Sequence, residues 1–96
     1  MKKYTLNGTQ PIEESDLIKW ANWFETSDKA RIVAKTTVGG AEVSTAFLGL
    51  DRSYGEGHSL LFETMIFGGD RDGEQWLYGT WKEAEIGHER VVRELT

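Results

Sequence analysis

The most specified apolar run is the stretch 60–67, LLFETMIF, in which only Glu63 and Thr64 are polar. Successive strand residues point to opposite faces, so Leu61, Glu63, Met65 and Phe67 form one set and Leu60, Phe62, Thr64 and Ile66 the other. Both sets are largely apolar. That predicts a central strand with one face under helices and the other covered by a loop, a partner or a second copy. Upstream, 43–50 is a second apolar run, and the polar, glycine-rich stretch 53–59 joins the two. Residues 30–38 are rich in β-branched side chains, and Gly39-Gly40 before 41–50 is a two-residue hairpin signal. Tyr4-Thr5-Leu6 is a short strand closed by Asn7-Gly8, and Gln75–Tyr78 is a last short strand after the charged turn GGDRDGE.

Two segments carry the helical period. Pro11 suits a first helical turn, with Glu13, Glu14 and Asp16 at its positive end. Leu17, Trp20, Ala21 and Phe24 then make one stripe, Trp23 lies off it, and the helix should stop near Thr26 to Asp28. Thr80-x-x-Glu83 is a capping box, followed by the stripe Ala84, Gly87, His88, Val91 and Leu95. The order β-α-β-β-β-(β)-α predicts an α+β domain. Its sheet is mostly antiparallel, of roughly three to five strands, with both helices packed on one face.

At 96 residues the chain is expected to form one domain. It has no cysteine, which excludes disulfides and thiolate zinc sites and fits an intracellular protein. The start MKKYTLNG has no apolar stretch behind its lysines, so it does not read as a signal peptide, and Met1 is expected to begin a complete natural chain. No run approaches a membrane span. The net charge is −5, with 11 basic residues scattered among 16 acidic ones. The absence of a basic cluster disfavours direct nucleic-acid binding. Acidity suits a basic partner, or nucleic-acid mimicry, or plain solubility.

Candidate chemistry centres on Glu63. A carboxylate among Leu61, Phe62, Met65 and Ile66 is a general acid or base with a raised pKa, or it is paired with Arg31, Arg52 or backbone N–H groups; the pairing is favoured. Ser44 and Thr45 lack a nucleophile elbow, and the only histidines are His58 and His88, so small alternating strand residues explain both hydroxyls better than a triad. His88 on the apolar stripe reads as a core residue donating to a carbonyl, and Gly87 beside it as a close backbone crossing. His58, Asp51 and Asp70 show no metal-ligand spacing, and Asp70-x-Asp72-Gly73 lacks the rest of a calcium loop. Gly55, Gly57 and Gly68-Gly69 sit between strands, which favours turns over a phosphate cradle. Trp20 belongs to the core stripe. Trp23, Trp76 and Trp81, with Tyr54 and Tyr78, are freer, and serve a protein interface, a flat-ligand pocket or core cover.

Trp20-x-x-Trp23-Phe24, VSTAFLGLD (43–51), LLFETMIFGG (60–69) and Tyr78-x-Thr80-Trp81-x-x-Ala84-x-x-Gly87-His88 together resemble a family of small uncharacterised proteins from tailed phages, prophages and some bacterial genomes. The resemblance spans about residues 4–92. It implies a phage or prophage origin and a cytoplasmic site of action, and it brings no established activity. Two positions depart from the family pattern: Arg52 stands where a histidine is expected and Tyr54 where a phenylalanine is. Arginine stays protonated and is no base, but it can hold an anion or a carboxylate.

The leading expectation is therefore a non-enzymatic binding protein that engages a host or phage macromolecule, with homodimerisation and counter-defence as versions of it. The second is a small-ligand binder, for a nucleotide-type molecule stacked at Arg52, Tyr54, Trp76 and the 55–57 loop. The third is an enzyme using Glu63 or Asp51 as acid or base. The binding candidates are Asp51, Arg52, Tyr54, Glu63, Trp23 and Trp76, with no cofactor, metal or membrane partner expected.

Overall fold

The computed structural model describes residues 1–53 and 57–96. It is an α+β fold with two antiparallel sheets, one of two strands and one of four, and two helices. The first sheet is a hairpin of β1 (Tyr4–Asn7) and β2 (Gln10–Glu13), in register Leu6↔Pro11 and Asn7↔Gln10. Pro11 thus lies in a strand and not in a helical first turn, which corrects the sequence expectation. Proline offers no ladder N–H, and β2 has only one strand neighbour, so the loss is tolerated there.

Helix α1 (Leu17–Thr26) starts later, where Asp16 can cap it: its Oδ1 accepts from the Ile18 and Lys19 N–H groups at 2.9 and 3.0 Å. The expected stripe is rotated. Leu17 is 60% exposed, whereas Trp23 turns inward and meets Phe47 edge-on at 5.9 Å. Trp20 donates its indole N–H to the Tyr4 carbonyl at 3.0 Å and packs on Phe24. The helix therefore leans on the hairpin and on one end of the main core, and none of its residues is fully buried.

The larger sheet has the order β3 (Ile32–Val38), β4 (Ala41–Phe47), β5 (Phe62–Phe67), β6 (Gln75–Tyr78), each strand antiparallel to its neighbour. Gly39-Gly40 makes the expected turn, and a bulge interrupts the β3–β4 register between Ile32 and Ala34. Gly68 follows β5 at φ +86°, with the Gly40 carbonyl 2.6 Å from where a Cβ would stand, so neither the angle nor the space admits a side chain. Alternation decides what is buried: Ala41, Val43, Thr45 and Phe47 on β4, and Phe62, Thr64 and Ile66 on β5.

Helix α2 (Trp81–Leu95) covers that face with Ala84, Gly87, His88 and Val91. Thr80 caps it by accepting from the Glu83 N–H at 3.1 Å. The return bond runs from the Thr80 hydroxyl to the Glu83 carboxylate rather than from a backbone N–H. No helix among the described residues is long and apolar enough to cross a membrane.

Candidate functional site

The other face of the four-stranded sheet is uncovered. Strand register places Glu42, Phe67 and Thr37 in one row, Lys35, Ser44, Met65 and Gln75 in the next, and Ile32, Ala46, Glu63 and Leu77 in the third. Among the described residues no helix or second sheet lies on these positions. Phe67 is 50% exposed and Ile32 37%, while Ala46, Met65 and Leu77 are half-buried by their neighbours. The result is a mixed surface on which Phe67, Met65, Ile32, Ala46 and Leu77 stand among polar residues that include two carboxylates, Glu42 and Glu63, with Lys35 on its edge strand.

Glu63 sits in mid-sheet, directly opposite Ala46 on β4 and Leu77 on β6. It has no hydrogen-bond or ion-pair partner among the described residues, so the expected pairing with Arg31 or Arg52 is not formed. Arg31 instead binds Asp28 at 2.7 Å and the Phe24 carbonyl at 3.3 Å, with its guanidinium 3.7 Å from the centre of the Phe24 ring. Arg52 is exposed.

Asp51 has a different occupation. Its Oδ1 accepts from the Ser53 and Leu60 N–H groups at 2.9 and 3.0 Å, which ties together the two ends of the 52–60 loop. Partial burial pushes its pKa up. The bonds from Leu60 and Ser53, helped by the Ser53 and Ser59 side chains, outweigh that and hold it at about 2. Beside it lies a 440 Å³ cavity lined by Met1, Lys2, Ser53, Gly57 and Ser59. Tyr54 falls outside the described residues.

Trp23 and Trp76 are not free. Both pack against the Phe47–Phe62 core on the α2 side, and the Arg71 guanidinium lies 5.7 Å over the Trp76 ring. Trp81 meets Phe62 edge-on at 6.0 Å. The proposed stacking pocket therefore loses Trp76, because even-numbered β6 residues share the covered face with Thr64 and Phe62. Asp72 is likewise occupied, accepting from the Gly68 N–H in the β5–β6 turn.

One polar chain was not expected. His88 bridges Thr36 Oγ1 through Nε2 at 2.8 Å and Thr45 Oγ1 through Nδ1 at 2.7 Å, and Thr45 is hydrogen-bonded to Thr64. The histidine is in the core, as its stripe predicts, but its partners are hydroxyls and not a carbonyl. The signal was present in the strands: Thr45 and Thr64 fall on the buried parity of their strands, where hydroxyls demand a polar partner. Desolvation pushes the His88 pKa down, against a smaller opposing pull from Glu89, so the imidazole is neutral. At 2% exposure it is a structural link between α2 and three strands. Ser44 faces the opposite side of the sheet from His88, which separates that pair as nucleophile and base.

No protein-family model, curated protein or solved structure matches this chain.

Proposed function

We propose that this chain is a non-enzymatic binding protein, a small phage- or prophage-type accessory factor that engages a host or phage protein in the cytoplasm. The observation that carries this reading is the uncovered sheet face with Ile32, Ala46, Met65, Phe67 and Leu77 on it. A sheet face left open on a small domain with large apolar side chains on it marks an interaction site more often than an accident of packing. A role in blocking a host defence is an analogy from the resemblance to phage proteins. The nucleotide-type alternative rests on the cavity beside Asp51 and no longer has an aromatic stack from Trp76. The enzyme reading is weaker still: Asp51 is held ionised by backbone donors, and Glu63 has no catalytic partner beside it among the described residues.

Affinity capture from host lysate tests the reading with three baits: the wild-type chain, Met65→Lys/Phe67→Lys on the open face, and Ile86→Lys on the exposed side of α2. A stoichiometric protein should be held by the wild type and by Ile86→Lys and lost by the double variant. Retention by the double variant, or no stoichiometric protein at all, rejects the open face as the binding surface.

A further inference from the structure

The open face mixes apolar and polar side chains, and its charges are one-sided. Glu42 and Glu63 lie within it, and Lys35 lies on the edge strand. The chain's three ion pairs among the described residues belong to Arg31 and Arg71, and none reaches this face. Glu63 stands at the centre, with apolar Ala46 and Leu77 directly across and Met65 two residues on. Ala46, across from Glu63, and Ser44 beside it on β4 are small side chains.

Whatever covers this face removes Glu63 from water. A buried, unpaired carboxylate is strongly unfavourable, so the covering surface must bring it a donor. A second copy of this chain is a poor cover. Face-to-face association brings four carboxylates together, two from each copy, against two lysines held on edge strands. Like charges enclosed in a low-dielectric interface repel.

We infer that the occupant of the open face is a basic, apolar segment of a different protein, and that a lysine or arginine of this segment pairs with Glu63. Arginine fits best, because its planar fork binds a carboxylate through two parallel N–H bonds while its flat face lies on apolar neighbours. Met65, Phe67 and Leu77 then supply the apolar contact and Glu63 the register. This inference rests on the binding reading above and names the chemistry of the partner.

The probe is a displayed random dodecapeptide library panned on the full-length immobilised protein, with each enriched peptide re-measured on variants. The expected result is enrichment of sequences that combine apolar residues with arginine or lysine. Their binding should be lost on Met65→Lys/Phe67→Lys and weakened roughly tenfold or more on Glu63→Gln. It should also fall as NaCl rises from about 50 mM to about 500 mM. Glu63 is half-buried with no partner to lose among the described residues, and glutamine keeps its shape, so far-UV circular dichroism should show an unchanged fold. Peptides that need Met65 and Phe67 but are acidic or uncharged, or are indifferent to Glu63→Gln, overturn this inference and leave the face reading standing. Peptides indifferent to the double variant, or no enrichment, overturn both.

Discussion

Gly87 and Tyr78 show how much one position can decide. Glycine inside a helix costs about 1 kcal/mol against alanine, so an exposed Gly→Ala change normally stabilises. Here a Cβ on Gly87 would overlap the hydroxyl end of the Tyr78 ring, at Oη, Cζ and Cε1. Gly87→Ala should therefore destabilise by about 1–3 kcal/mol, the penalty of overpacking exceeding the gain in helix propensity. Urea denaturation of the pure variant checks the sign, and a rise in midpoint would mean the ring moves away freely. The Tyr78 hydroxyl is itself buried with no hydrogen-bond partner among the described residues. Tyr78→Phe should thus be neutral or stabilise by up to about 1 kcal/mol, since it removes an unsatisfied group without opening a cavity. The sequence marked Gly87 as a close backbone crossing, and the structure corrects this: the neighbour is the side-chain ring of Tyr78 and not a backbone. That contact joins β6 to α2, and its partner depends on how the helix crosses the sheet, which no local pattern encodes.

Among the elements, the buried side of α2 and the two described ends of the 52–60 loop each rest on a titratable side chain, His88 and Asp51, and the two respond to acid in different windows. His88 is neutral in the fold, with a pKa below its ordinary 6.5. The unfolded chain therefore takes up that proton first as pH falls. Stability from this site is complete above about pH 6.5 and declines below it, down to the lowered folded pKa. Asp51 runs lower: its folded pKa of about 2 lies under its ordinary 3.8, so its contribution is complete above about pH 4 and is lost as pH falls through about 2. Urea midpoints at about pH 7.5 and about pH 5.5 should thus differ for the wild type, and the difference should shrink in His88→Gln and persist in Asp51→Ala. An undiminished difference in His88→Gln would place the titration elsewhere.

Element by element, legibility followed local chemistry. The Gly39-Gly40 hairpin, the strand over β5 with its two face sets, and the Thr80 cap of α2 are set by neighbouring residues and were readable. The start of α1 was misplaced because Pro11 suits a strand with one neighbour as well as a helical first turn, and only pairing with Leu6 decides between them. The freedom assigned to Trp23 and Trp76 failed for the same reason, since both are inward-facing through contacts made across the chain.

For the whole molecule, the shortest dimension is 20 Å, which is one sheet and one helical layer. Helices and sheets stack about 10 Å apart, so this thickness leaves no third layer over the open face. Every fully buried side chain of β4 and β5 points toward α2, and the buried clusters on that side both include residues of the helix. The sheet's own second face buries little, and α1 and the hairpin reach only the Phe47 end of the core, so α2 has no full replacement if it is removed. A chain ending at Gly79 should therefore show no cooperative thermal transition and little near-ultraviolet circular dichroism from its remaining tryptophans, because the hairpin and α1 reach only the Phe47 end of the sheet and leave the rest of its buried face without cover. A cooperative transition in that truncated chain would mean the open face can collapse on itself or on another copy. In that case its apolar residues would be part of the molecule's own stability rather than a surface kept for a partner.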